Sequence, residues 1–190
     1  MTKAIVKILM GVFAVFLMAE TASATIYSVN RTIGAGGVTG TITTDGTLGA
    51  LSAGNVTDWN LLLDDGSTTF NLLGNGSVGD NSDLLISGAA FIATATDLWF
   101  DFAAQGFALF QNPTNGSGIN WWCLEGPSSG CTGFGQGESV VTTSPALGEH
   151  VLYTTRQIIS GEAVDADEPA MLGLLALGLG GLLLGRRRKA

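Results

Sequence analysis

The chain has 190 residues, 46% hydrophobic and 13% charged, with 28 glycines and a formal net charge of -8. From Thr25 to Glu168 only Arg31 and Arg156 are positive, against 15 Asp and Glu, a local net charge of -13; this excludes nucleic acid as a partner, because phosphate binding needs clustered Lys and Arg. Two cysteines and one histidine, His150, argue against a metal cluster, and no cofactor motif is present.

Residues 1–24 read as a secretory signal peptide. Lys3 and Lys7 supply the positive start, Ile8 to Ala19 the apolar stretch, and Ala22-Ser23-Ala24 the small-residue cleavage site, so the signal peptidase and Sec machinery are implied partners. An amphipathic cytosolic helix would need a polar face, which this stretch lacks. The mature chain is then expected to begin at Thr25.

Residues 25–160 are rich in Thr, Val, Ile, Leu, Phe and Trp and are punctuated every eight to twelve residues by Gly, Asn and Asp, the pattern of an all-β domain. Asp45-Gly46 stands between two β-prone runs and predicts a hairpin. Asp64-Asp65-Gly66-Ser67 predicts a second, between strands near Trp59 to Leu63 and Thr68 to Leu73. The stretch from Leu84 to Ala103 is the longest β-prone run; in it Leu98, Phe100 and Phe102 share one face, Trp99 and Asp101 the other. Further strands are expected over Gly106 to Gln111, Glu138 to Thr143 and Val151 to Ile159. Roughly eight strands without helices predict an antiparallel two-sheet β-sandwich, jelly-roll-like, with a partly open barrel as the alternative. Cys123 and Cys131 bracket a Gly- and Pro-containing loop that permits a disulfide after export; two free thiols are the other reading.

Residues 161–167 are small and acidic and read as a linker. Ala170 to Gly185 then gives 16 residues without a charge, about 24 Å as a helix at roughly 1.5 Å per residue, a little short of the ~30 Å hydrocarbon core. Five glycines make it a weak transmembrane helix, and Arg186, Arg187, Arg188 and Lys189 would stay cytoplasmic as a basic stop.

Glu168-Pro169, a short glycine- and leucine-rich segment and a terminal basic cluster together make residues 168–190 resemble the PEP-CTERM sorting signal of exported Gram-negative proteins. The resemblance implies a transient stay in the inner membrane, processing by an exosortase, and release to the cell surface or extracellular matrix, often beside exopolysaccharide. Asp167 stands where the family motif has its first proline, so only Glu168 and Pro169 carry over. An uncleaved single-pass anchor is the alternative. The stretch Gly40 to Leu63 also looks like a recurring opening of such exported proteins, which implies a shared β-rich domain and no ligand.

Inside the domain, chemistry-bearing groups are sparse. Asp64 with Asp65, Asp97 with Asp101, and Glu125 are the carboxylates that would serve a glycan-active hydrolase, and Ser139, Ser144 and His150 lie near one another without a nucleophile elbow. Asp64-Asp65 and the run Gly74 to Asp83 offer oxygens without calcium-loop spacing, and turn chemistry accounts for them. Trp121 and Trp122 are candidates for stacking on a sugar ring, against the plainer reading of a tryptophan packed on a disulfide. The sequence therefore predicts a non-enzymatic exported protein, structural or glycan-binding, with the hydrolase as the reading from another class.

Overall fold

A computed structural model describes residues 23–112, 120–127, 130, 134–143 and 148–165. Strands β1 (Thr25–Ile33) and β2 (Gly36–Thr44) pair antiparallel from Thr25↔Thr44 to Ile33↔Gly36. Only Gly34 and Ala35 connect them, and Gly34 takes φ 59°, which glycine adopts without the strain a Cβ would bring. A Cβ there would also overlap Oε2 of Glu149, the atom that accepts the Ala35 N–H at 3.1 Å.

Asp45-Gly46 turns the chain but does not make the expected hairpin. Asp45 Oδ1 accepts the Thr47 N–H at 2.9 Å, while Asn55 Nδ2 donates to Asp45 Oδ2 at 3.1 Å. These bonds close a wider loop that holds β3 (Gly49–Ala50) and one 3-10 turn (Ala53–Asn55) before β4 (Val56–Asp64) returns alongside β2. The long β2–β4 pairing outweighs the local turn signal, and β3 pairs with β7 (Phe91–Ala93) at the far edge. The second expected hairpin forms: β4 and β5 (Thr69–Leu73) pair from Asn60↔Leu73 to Asp64↔Thr69, with Gly66 in the turn at φ 82°.

The long β-prone stretch divides into β6 (Asp83–Gly88), β7 and β8 (Leu98–Asp101). Gly88, at φ 77°, ends β6, and the Thr94 N–H bonded to Asp97 O at 2.8 Å closes the next turn. Leu98, Phe100 and Phe102 are buried while Trp99 and Asp101 are half-buried, the alternation the sequence predicts. Strands β9 (Gly106–Gln111), β10 (Trp121–Glu125), β11 (Gly137–Val141) and β12 (Glu149–Val151) follow, and β13 (Arg156–Asp165) lies between β8 and β1.

The strands form two antiparallel sheets, one in the order β3-β7-β8-β13-β1-β2-β4-β5 and one in the order β12-β11-β10-β9-β6. Sequential pairing from β9 to β12 makes the smaller sheet a meander, which departs from the interleaved Greek keys of a jelly roll. Residues 161–165 are a second correction. Expected as linker, they extend β13 and pair with β1 at Gly161↔Ser28, Ala163↔Tyr27 and Asp165↔Thr25. Backbone pairing between two strands needs no apolar period, so composition misreads them. Among the described residues no helix is long and apolar enough to cross a membrane; the expected tail span and Ala22 lie outside those residues, and Ala24 directly precedes β1.

One hydrophobic core draws on both sheets. Phe110 of β9 stacks on Trp122 of β10 at 5.2 Å and meets Trp59 of β4 edge-on at 5.6 Å. Beside these rings Arg31 enters from β1 and meets Glu138 of β11: Nη2 donates to Oε2 at 2.6 Å and Nε to the same carboxylate at 3.1 Å. Trp122 Nε1 donates to the other oxygen, Oε1, at 3.0 Å, and Glu138 is fully buried. Removing one partner of such a pair leaves an uncompensated buried charge, so Arg31→Met is expected to cost about 3 kcal/mol or more. Arg31→Met with Glu138→Leu should cost clearly less than the two single changes summed. Urea unfolding of the four proteins, with the disulfide intact, measures both.

Candidate functional site

The residues singled out by sequence fall into places that the strand pattern dictates. Trp121 and Trp122 are neighbours on β10 and so face opposite ways. Trp122 points into the shared core with 0% exposure, and Trp121, at 7%, packs with Leu109, Cys123 and Val141 on the far side of the smaller sheet, its indole edge-on to Phe134 at 5.8 Å. Neither ring offers a free face for a sugar, which corrects the stacking expectation; apolar packing claims both indoles. Cys123 is buried and disulfide-bonded, and Cys131 lies outside the described residues.

The carboxylates hold turns and join the sheets. Asp64 Oδ1 accepts the Gly66 N–H at 2.8 Å. Asp65, buried in the β4–β5 turn, accepts the N–H groups of Ser67 and Thr68 on Oδ1, and on Oδ2 the N–H of Thr142 from the end of β11 at 3.2 Å. Burial disfavours its charge, but these N–H donors and the Thr142 hydroxyl prevail and lower its pKa to about 2. Asp97 accepts the Thr96 hydroxyl at 2.6 Å, and Asp101 accepts both the Ala103 N–H and Arg156. Glu125 is buried on β10. In the run Gly74 to Asp83, Asn81 bonds the Leu73 N–H and the Asn71 carbonyl and so seals the outer edge of β5.

Ser139 and His150 sit directly opposite each other on β11 and β12, and Ser144 lies outside the described residues. Ser139 Oγ and His150 Nδ1 are both buried without a hydrogen-bond partner among the described residues. The imidazole stacks on Phe134 at 5.9 Å, and burial lowers its pKa below 6.5 despite a bond with the Glu138 backbone. Among the described residues no group of three His, Cys, Asp or Glu could hold a metal ion.

The feature that sequence reasoning missed is on the outer face of the larger sheet. The β1–β13 ladder stops at Val29↔Ser160, although β1 runs on to Ile33 and β13 begins at Arg156. In the opening, Arg31 Nη1 donates to the Ile158 carbonyl at 2.8 Å. A depression of about 270 Å³ lies here between Ser28, Asn30, Ile158 and Ser160, and a second of about 250 Å³ continues from Asn30 over Gly36 and Gly37 to Thr39 and Leu62. Asn30 borders both. The available signal was the alternation of β1, in which Tyr27, Val29, Arg31 and Ile33 point inward while Ser28, Asn30 and Thr32 are exposed. No protein-family model, curated protein or solved structure matches the chain.

Among the described residues His150, Asp65 and Asp45, whose carboxyl the Thr47 N–H holds below its usual value, all contribute to the loss of stability at low pH. The unfolded chain protonates His150 before the folded one does, so its contribution is complete above pH 6.5 and declines as pH falls below that value. The Asp65 contribution is complete above pH 3.8 and is lost as pH falls toward about 2. Thermal melts across this range should show both declines. His150→Phe should flatten the first, and Asp65→Asn the second while lowering stability at neutral pH by about 2 kcal/mol.

Proposed function

We propose that this is an exported, non-enzymatic protein of the cell surface or extracellular matrix, processed by an exosortase and acting as a structural or glycan-binding component beside exopolysaccharide. The observation that carries the reading is the order Glu168-Pro169, a weak apolar segment, and Arg186 to Lys189 at the end of a chain that opens with a signal-peptide pattern. The fold supports it in two ways. β1 starts at Thr25, the first residue after the expected cleavage site, and Thr25 pairs with Asp165, so the two ends of the described body lie side by side, and Asp165 stands three residues before Glu168 in the sequence. We read the two-sheet body as a sandwich that folds after export.

In this reading the domain crosses the inner membrane, waits there on its short apolar segment, and is cut near Glu168-Pro169. Pro169 fixes its own φ and biases Glu168 toward an extended shape, which a protease groove binds. Intact mass of the extracellular form tests the reading: it should begin at Thr25 and lack Arg186 to Lys189. Pro169→Ala should leave uncut protein in the membrane fraction. An extracellular form that keeps its arginines overturns the proposal.

A further inference from the structure

We propose that the two joined depressions on the outer face of the larger sheet bind a neutral oligosaccharide segment; this rests on the glycan-binding form of the proposed function and names where and what class it binds. The groove exists because β13 keeps its pairing with β8 through Arg156↔Asp101 after its pairing with β1 has ended. Arg31 fills the gap from below, so the opening is a supported surface with a floor. On the other side, Gly36 and Gly37 leave the face low beside Asn30 and Thr39.

The lining has two kinds of group in alternation. Ser28, Asn30 and Thr39 are exposed, uncharged hydrogen-bonding side chains. Ile158 and Leu62, 43% and 45% exposed, are apolar ledges at either side, and Trp99 stands opposite Ile158 in the β8–β13 register. A pyranose has the matching pair of surfaces, a rim of hydroxyls and an apolar C–H face. From β8 to β4 the face crosses four strand spacings, about 19 Å at roughly 4.8 Å each, enough for a short oligosaccharide laid across the strands. Together the two depressions reach the ~300–1,000 Å³ range of small-ligand sites.

Charge decides between glycans. The Arg31 guanidinium at the floor is already paired with Glu138, Arg156 at the margin is paired with Asp101, and the charge at the opposite rim is Asp64. A stretch from Thr25 to Glu168 of net charge -13 repels a polyanion, so uronic-acid polymers and phosphorylated ligands are disfavoured and a neutral chain is selected.

The test uses the protein in whatever form the cells deliver it, so that a failure of tail processing leaves it intact. Calorimetric titration would use neutral gluco-, manno-, galacto- and xylo-hexasaccharides, with hexagalacturonate and an extended threonine- and valine-rich hexapeptide as competitors of other chemistry. At least one neutral hexasaccharide should bind with a Kd of about 1 mM or tighter. Asn30→Ala and Ile158→Ala, both at exposed side chains, should each weaken it about tenfold, whereas Ser87→Ala on the smaller sheet should change nothing. The proposal is overturned if no neutral sugar binds up to about 10 mM, if the Asn30 and Ile158 variants bind like the parent, or if only the anionic sugar or the peptide binds. A correctly delivered and cleaved protein that binds no sugar refutes the groove alone; sugar binding by an uncleaved protein refutes the sorting alone.

Discussion

The buried contact between Arg31 and Glu138 is the constraint on which the arrangement of the two sheets depends. A carboxylate with no exposed surface is tolerable only if its lone pairs are met, and here two guanidinium nitrogens and the Trp122 indole N–H meet them. The guanidinium is held in turn by the Ile158 carbonyl and lies 5.5 Å from the centroid of the Tyr153 ring, so β1, β11, β13 and the segment before β13 converge on one cation. Apolar packing between sheets is weakly directional and would tolerate a slip. The ion pair would not, because a shift of one residue puts either charge on the wrong face of its strand.

The acidity of the domain follows from the same logic. Asp65, Glu138 and Glu149 each accept hydrogen bonds from the opposite sheet or from a turn that belongs to it. Asp45, Asp64, Asp97 and Asp101 accept from N–H or hydroxyl groups within one to three residues. Backbone N–H groups are the donors that a lysine-free domain has in abundance, and carboxylates at turns and strand ends are the strongest acceptors for them. Much of the domain's negative charge is thus occupied in holding short β-connections.

How much of this could be read from the chain depends on whether the determining interaction is local. The Asp64 to Ser67 turn and the face shared by Leu98, Phe100 and Phe102 were legible, since turn residues and a period of two act within a few positions. Asp45-Gly46 carries an equally strong local signal and gives a turn without a hairpin, because Asn55 and the distant β3–β7 and β2–β4 pairings decide where the chain goes next. Residues 161–165 carry no apolar signal at all and are strand because β1 offers them a partner. The tryptophans misled for a related reason: a ring that could stack on a sugar stacks equally well on Phe110.

The outer groove was the least legible feature, and its origin shows why. It requires β13 to be held by β8 on one side while leaving β1 on the other, a condition set by two irregularities in β13, one opposite Tyr27 and Ser28 and one between Ile158 and Ser160. The first has Gly161 beside it, a mark that is weak by itself, and the second has none. What the sequence does carry is a lone inward arginine amid Tyr27, Val29 and Ile33, and an arginine in that position implies both a buried acid across the core and a gap in its own sheet for the remaining donors to fill. The contact that fixes one sheet on the other therefore also keeps the larger sheet open at Ile158. Any change that lets β13 close fully onto β1 would erase the groove and orphan part of the guanidinium together.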